Sequence, residues 1–235
     1  MQCASRWLRF DCKAGMNRAA RFYRSSVGKK IVMAVTGVIG IAFLITHVVG
    51  NLLVFRGPLA LNGYSHFLKS TGELLWLIRT VLIVAVIVHV IAAYQLTMQN
   101  RAARPIDYYR HEPQASTLAS RTMRWGGVLL LIFIPLHIMH FTTGTLRPAG
   151  FFSRGDVYAN VIGSFRIWWV ALFYVAAMIA LGAHIYHGAW SAPRSMGIAQ
   201  PSKDPQHRRV ALLVALFLWI GFTVVPLAVF ARLIP

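Results

Sequence analysis

The stretch TVLIVAVIVHVIAAYQLTMQN, residues 80–100, carries no charged residue and lies between Arg79 and Arg101. A helix that rises 1.5 Å per residue crosses the hydrocarbon core of a bilayer with about 20 such residues. A helix in the core of a soluble protein is seldom apolar on every face over this length. We therefore interpret residues 80–100 as a membrane-spanning helix.

Four further charge-free apolar runs occupy residues 31–55, 125–146, 167–193 and 210–231. Together with 80–100 they predict one all-α integral membrane domain of five transmembrane helices over residues 31–235, after a basic segment at 1–30. In the connections, apolar residues at helical spacing in 61–79 predict a short interfacial helix, and the turn-rich stretch 144–158 is expected to be irregular.

The basic residues are distributed unequally between the two sides of this topology. Of the 24 Lys and Arg residues, 17 lie in the N-terminal segment and in the connections after the second and fourth runs, and 7 lie on the other side. The positive-inside rule then places the N-terminus in the cytoplasm and the C-terminus outside the cytoplasmic (inner) membrane of the cell. Because the basic residues lie in loops, topology and anionic lipid explain the net charge of +18 better than nucleic acid does.

Segment 1–30 is rich in arginine and poor in acidic residues, so a targeting peptide is one interpretation of it. It lacks the apolar core and the small-residue cleavage site of such a peptide. We interpret it as a cytoplasmic tail, for which Met1 and Met16 are both candidate starts.

Six of the nine histidines lie within the first four apolar runs, and the last run has none. Polar side chains at membrane depth are costly and usually functional, although a lone histidine can also pair with a backbone carbonyl or a hydroxyl. Imidazoles that project inward from four successive helices are typical of a bundle that holds a cofactor. The six residues are His47, His89, His137, His140, His184 and His187.

The residue types in these runs favour haem as the cofactor. Zinc or copper would require mixed ligands at one depth, and a proton relay would require acidic residues, of which the five runs have none. Two haems with two imidazole ligands each would use four histidines on four helices, and electron transfer would be their task. The helical rise places His47 and His184 at two levels but puts His89 and His137 both near the midplane, so depth leaves the pairing open.

Four motifs follow one another on the first four runs: FLITHVVGNLL (43–53), VHVIAAY (88–94), IFIPLHIMH (132–140) and AHIYHGAWS (183–191). In this order, with SSVGKKIVMAVTG (25–37) and ASRTMRWGG (119–127) before two of them, they resemble the cytochrome b membrane anchor of succinate:quinone oxidoreductases. The resemblance is to the single-chain b558 type, with two haems and five helices, and covers roughly residues 25–231.

The resemblance implies a role for each histidine. His47 and His137 would hold a distal haem near the outer face, and His89 and His184 a proximal haem near the cytoplasm. His140 and His187 match no ligand of the family, so we expect them to act on a haem or quinone from the second coordination shell. Candidate partners of the proximal haem propionates, which ordinary topology would also explain, are Lys29, Lys30, Arg121 and Arg124.

A quinone site is expected on the outer side before the second span. Members of the family can carry an acidic residue there, and the matching position in this chain is Lys69, with Glu73 as the nearby carboxylate and His66 as a third candidate.

The chain has no dinucleotide-binding fingerprint and no cysteine set for an iron–sulfur cluster, so it would not oxidise succinate alone. The resemblance implies that a flavoprotein and an iron–sulfur subunit dock on its cytoplasmic face, and that electrons pass through the haems to menaquinone. Three alternatives stay open: a haem-free quinone-binding anchor, a two-haem cytochrome b of a membrane hydrogenase or formate dehydrogenase, and a transporter, which the lack of intramembrane acids disfavours.

Overall fold

The computed structural model describes residues 17–103, 118–199 and 204–234. Most of the predicted basic segment 1–30, including Met1 and Met16, lies outside these residues. The α-helices of the described part are α1 (Arg18–Arg24), α2 (Ser26–Leu52), α3 (Pro58–Ser70), α4 (Glu73–Ala102), α5 (Leu118–Ile138), α6 (Val157–Phe165), α7 (Trp168–Ser195) and α8 (Asp204–Phe230). A 3₁₀ turn, Leu53–Arg56, follows α2, and a π-helical turn, Met139–Thr143, follows α5.

Five helical segments are long and apolar enough to cross a membrane, which confirms the predicted all-α fold with five transmembrane spans. Large apolar side chains such as Val38, Trp76 and Leu213 are exposed on their outer faces, where lipid would cover them. The spans are Ser26–Arg56, Glu73–Ala102, Thr122–Thr143, Trp168–Ser195 and Asp204–Phe230.

Successive spans run in opposite directions, so the molecule has two ends. We call the end at which α2 begins the N-side and the end at which it finishes the C-side. The end of α4 and the start of α5 lie on the N-side, as do the end of α7 and the start of α8, and the short helices α3 and α6 lie on the C-side.

The second span begins earlier than predicted, at Glu73 rather than at residue 80. The expected interfacial helix is α3, Pro58–Ser70, so the last part of 61–79 belongs to the span instead. Gly72 separates the two helices with a φ of 54°, which favours glycine. Arg79 did not end the span because a long cationic side chain can lie along an apolar surface, and its guanidinium lies 5.2 Å from the Trp76 ring centre.

The third span does not stay α-helical to its end. Pro135 lies within α5, where proline removes one backbone hydrogen bond, and a π-helical turn follows one turn later. Gly144 closes the segment in the left-handed conformation, with a φ of 67°. The π turn carries His140, which is buried against the neighbouring helices.

Helix α7 occupies the centre of the described structure, packed against α2, α5 and α8, while α2 also packs against α4 and α8. Val48, Ile185 and Leu218 form a buried cluster where α2, α7 and α8 meet. Because α8 shares this core, a separate four-helix bundle of the first four spans stays a prediction. Within the described residues, α2 and α5 are not closely packed against each other, nor are α4 and α7.

A C-side cap, consisting of α3, residues 144–156 and α6, covers one end of the molecule. Residues 144–156 are irregular, as expected, but α6 begins at Val157 and was not predicted. The cap is linked internally by Asn62, whose side-chain amide donates to Asp156 Oδ1 (3.0 Å) and whose Oδ1 accepts from the Tyr158 backbone N–H (3.0 Å). These bonds hold α3 against the start of α6.

Asp156 is the N-cap of α6, and its carboxylate accepts a hydrogen bond from the Ala159 backbone N–H at 2.9 Å. This bond and the one from Asn62 favour the ionised form, so they lower the pKa of Asp156 below its ordinary value of 3.8. The negative charge also complements the positive end of the helix dipole.

Candidate functional site

On the C-side, the rings of His47 on α2 and His137 on α5 lie edge to face, with centres 6.0 Å apart and planes at 82°. Aromatic side chains enclose the pair: Phe43 and Phe222 lie beside His47, and Phe133 lies beside His137. This C-side pair therefore occupies an apolar environment formed by α2, α5 and α8.

On the N-side, the rings of His89 on α4 and His184 on α7 form a second pair, with centres 6.1 Å apart and planes at 54°. His89 Nδ1 lies 3.1 Å from the Met33 carbonyl oxygen and 3.1 Å from Thr36 Oγ1. A carbonyl oxygen can only accept, so Nδ1 carries the proton and Nε2 is left as the available ligand atom.

Glycines lie beside both rings of the N-side pair. A Cβ built on Gly37 of α2 would be 3.6 Å from His89 Cε1, and one built on Gly127 of α5 would be 4.0 Å from His184 Cε1. His184 Nδ1 is buried and has no hydrogen-bond partner. A buried polar atom of this kind is unusual and requires an explanation, such as a bound group.

The two pairs lie at different depths. Thr36, which contacts His89, and His47 are 11 residues apart on α2, which corresponds to about 16 Å along the helix. Tyr174, which contacts His137, and His184 are 10 residues apart on α7, which corresponds to about 15 Å. The structure thus separates the histidines into a C-side and an N-side level.

The structure pairs His47 with His137 and His89 with His184, whereas the depths calculated from the sequence left the pairing open. The third span is Thr122–Thr143, so its centre lies nearer the N-terminus than that of the predicted run 125–146. His137 is then about 7 Å to the C-side of the centre of its span, by the helical rise. His89 lies slightly to the N-side of the centre of Glu73–Ala102.

The spacing of both pairs fits two axial imidazoles on one metal. With a metal–nitrogen bond of about 2 Å and a nitrogen about 1 Å from its ring centre, two opposed imidazoles have centres about 6 Å apart. The two helices that carry each pair are not closely packed against each other, so the paired imidazoles bridge helices that have few other contacts. In the described ranges, no group of three or more His, Cys, Asp or Glu side chains could hold a metal ion.

His140 and His187, which were expected to act on a bound haem or quinone without ligating the metal, differ in environment. His140 is buried, with Nδ1 2.9 Å from the Tyr174 hydroxyl and Nε2 2.8 Å from Ser164 Oγ. His187 is half-buried, with its ring 6.0 Å from the Trp190 ring, and its Nδ1 is buried without a hydrogen-bond partner. Both nitrogens of His140 are therefore already engaged by protein groups.

Of the four basic residues expected near a propionate, Lys29 is buried, and its ammonium donates to the Arg24 carbonyl oxygen at 3.3 Å. It lies one turn from Met33, which contacts His89. Lys30 and Arg124 are exposed on the N-side, and the side chain of Arg121 lies outside the described part of the chain. Their role as propionate partners stays a prediction.

The expected quinone-site residues lie on the C-side surface. Lys69 donates from its ammonium to the Arg154 carbonyl oxygen and so ties α3 to the cap loop. Glu73 is exposed in the first turn of α4, and His66 is exposed on α3. A quinone site at these three residues stays a prediction.

Tyr174 is a polar residue beside the C-side pair that was not predicted from the sequence. Its hydroxyl lies 3.4 Å from His137 Nδ1, and its ring packs against the rings of Phe133 and Phe165. A signal was available, because a tyrosine inside an apolar run usually has a hydrogen-bond partner.

A second missed group lies on the N-side. The Trp190 indole donates to Asp204 at 3.2 Å, and the guanidinium groups of Arg194 and Arg208 lie within 5.0 Å of its ring centre. Asp204 also accepts from Arg208 at 3.1 Å. The group joins the end of α7 to the start of α8.

The chain is 26% identical over 190 residues to the succinate dehydrogenase cytochrome b558 subunit of Bacillus subtilis (strain 168). The matched region covers 80% of this chain and 88% of that protein. Neither a family model nor a solved structure matches the chain. The likeness supports the resemblance seen in the histidine motifs, and the five apolar helices agree with a multi-pass membrane protein.

Proposed function

We propose that this chain is the cytochrome b membrane anchor of a succinate:quinone oxidoreductase and binds two b-type haems. One observation carries the proposal: two histidine pairs, each with ring centres about 6 Å apart as two axial imidazoles require, lie at two levels between spans that are not closely packed. The likeness to a cytochrome b558 subunit supports haem as the bound group.

In this proposal, His47 and His137 hold the C-side haem and His89 and His184 hold the N-side haem. A haem supplies one-electron oxidation and reduction, and two histidine ligands leave no open position for oxygen. The protein side chains position the imidazoles and exclude water, since Phe43, Phe133 and Phe222 surround the C-side pair. The chain thus serves as an electron-transfer subunit.

The N-side is the proposed docking face for a flavoprotein subunit and an iron–sulfur subunit. The relative is one subunit of a succinate dehydrogenase. This chain has no residues for oxidising succinate, so in the proposed complex other subunits would carry out that reaction. The unequal distribution of basic residues supports a cytoplasmic N-side, with the N-terminus on the cytoplasmic side of the inner membrane. Lys29, Lys30, Arg121 and Arg124 would then lie near the N-side haem and its propionates.

Menaquinone is the proposed electron acceptor, at a site on the C-side. Glu73, Lys69 and His66 are the candidate residues, because α3 and the first turn of α4 lie on this side of the molecule. Lys69 would act there through the cap loop that it holds.

Haem content tests the proposal. The full chain, expressed in its own cells and purified in detergent with the subunits that bind it, should contain two low-spin haems per chain in its reduced-minus-oxidised spectrum. His66→Ala, a histidine change on the exposed surface of α3, is the matched control and should retain both haems. A folded wild-type complex that contains one haem or none would contradict the proposal, and co-purification with hydrogenase or formate dehydrogenase subunits would replace it.

Orientation can be tested separately. Asn100 on the N-side and Arg154 on the C-side are both exposed. Each is replaced by cysteine in a chain whose Cys3 and Cys12 have been changed to serine. In intact cells, a membrane-impermeant maleimide should label Arg154→Cys and leave Asn100→Cys unlabelled. Labelling of Asn100→Cys alone would reverse the proposed orientation.

A further inference from the structure

A line of buried polar groups leads from the C-side pair to the cap helix α6. His137 Nδ1 lies 3.4 Å from the Tyr174 hydroxyl, which lies 2.9 Å from His140 Nδ1, and His140 Nε2 lies 2.8 Å from Ser164 Oγ. Tyr174, His140 and Ser164 are each less than 10% exposed, so water does not complete their hydrogen bonding.

Only one set of proton positions satisfies this line if His137 binds a metal through Nε2. His137 Nδ1 then carries the proton and donates to the Tyr174 oxygen. The Tyr174 hydroxyl, with one proton to give, donates to His140 Nδ1. His140 must therefore carry its proton on Nε2, which donates to Ser164 Oγ.

We propose that Tyr174 is a positioning residue that holds His137 in the Nδ1–H tautomer and so presents Nε2 to the C-side haem. His140, fixed by Ser164 of α6, directs the Tyr174 hydroxyl and keeps its oxygen lone pairs available to His137. This inference rests on the proposed function, because it assigns a role toward the haem that His47 and His137 would hold.

The role of the Tyr174 hydroxyl can be tested separately from the role of its ring. The ring packs edge to face against Phe133, Phe141 and Phe165, and phenylalanine would keep those contacts. Tyr174→Phe therefore removes the acceptor of His137 Nδ1 and leaves the apolar packing in place. A role in packing alone would leave the properties of the haem unchanged in this variant.

The expected result has a direction. When the outer nitrogen of a ligating histidine donates a hydrogen bond, the imidazole becomes more basic and donates more electron density to the metal, which stabilises the oxidised metal. Without that bond, the midpoint potential of the C-side haem should rise and the affinity for this haem should fall about tenfold, the low end of the range for such changes. The N-side haem, about 15 Å away along α7, should keep its potential.

The experiment compares two tyrosine changes on the same helix. Tyr174→Phe and Tyr186→Phe each remove one hydroxyl from α7, and Tyr186 is three turns further toward the N-side. The complete complex of each is titrated by spectroelectrochemistry, and the low-spin electron paramagnetic resonance signals of the two haems are recorded. A shift confined to the C-side haem of Tyr174→Phe supports the proposal, and identical titrations of both variants and the wild type overturn it.

A second variant keeps the test decisive if Tyr174→Phe fails to fold. In His140→Gln, the amide retains an acceptor for Tyr174 and a donor for Ser164, whereas His140→Leu retains neither. The proposal requires a shifted potential of the C-side haem in His140→Leu and a smaller shift in His140→Gln. Equal potentials in the two variants would overturn it, and a wild-type complex without haem would instead remove the proposed function.

Discussion

The two histidine pairs have the same spacing but different surroundings. The C-side pair lies among aromatic rings under the cap, and a buried tyrosine contacts one of its members. The N-side pair lies nearer the basic end, where backbone and hydroxyl oxygens of α2 hold His89 and the buried Nδ1 of His184 has no hydrogen-bond partner. The C-side site is thus organised by several helices, whereas the N-side site depends largely on α2 and on what binds there.

The largest expected effect is the loss of one site without the other. His184→Ala removes one ring of the N-side pair, and His47→Ala removes one ring of the C-side pair. Because alanine offers iron no axial bond, each variant should keep one haem per chain, and the remaining haem should differ between them in potential. Pyridine haemochrome content and redox titration check this.

Loss of both haems in each of the two variants, with the helices still folded by circular dichroism, would contradict the independence of the sites. The two levels along α2 and α7 are the structural reason to expect independence.

A smaller effect is expected at the oxygen atoms that hold His89. Thr36→Val removes the hydroxyl that lies 3.1 Å from His89 Nδ1, but the Met33 carbonyl oxygen remains as an acceptor at 3.1 Å. The potential of the N-side haem should therefore rise less in Thr36→Val than that of the C-side haem rises in Tyr174→Phe. Redox titration of the two variants, purified in the same way, compares the two rises in potential. An equal rise, or a larger rise in Thr36→Val, would contradict the contrast between the sites.

The spans could be predicted because charge-free runs of this length have few other uses in a protein. Helix ends were less certain, since Arg79 lies inside α4 and the span begins six residues earlier, at Glu73 after Gly72. That error mattered for the site, because the depth of a histidine depends on where its helix begins and ends. Six histidines were singled out by their apolar surroundings, and the family resemblance chose four of them as ligands. The structure places those four in two pairs.

The contacts between spans could not be predicted from periodicity. Tyr174 meets His137 and His140 only because α7 packs against α5, and Ser164 joins them from α6, a helix that the turn-rich stretch before it gave no reason to expect. Packing of this kind depends on tertiary structure rather than on the pattern within one helix.

A change confined to the cap should follow from the ionisation of Asp156. Its pKa in the folded protein is below the ordinary value of 3.8, so its contribution to cap stability is fully present above that pH. The contribution is lost as the pH falls below 3.8 and through the lower folded value. Pepsin cleavage between residues 144 and 158, measured from pH 5 downward in intact complex, should therefore increase over this range.

Asp156→Asn is the matched control, because its amide oxygen still accepts from Ala159 but carries no charge. Cleavage of this variant, relative to a site elsewhere in the chain, should vary less with pH than cleavage of the wild type. The same pH dependence in both proteins would exclude Asp156 as the group responsible.

The smallest expected effect concerns His187, which is three residues after His184 in the motif AHIYHGAWS. Three residues correspond to about 4.5 Å of rise and 300° of rotation, so both rings cannot occupy one axial position. His184 is the residue whose ring lies 6.1 Å from His89, whereas the His187 ring lies against Trp190 toward the end of α7. His187→Ala should keep two haems per chain and alter only the potential of the N-side haem or the rate of quinone reduction. If His187→Ala lost the N-side haem and His184→Ala kept it, the ligand on α7 would be His187, and the paired geometry of His89 and His184 would not be that of the ligands.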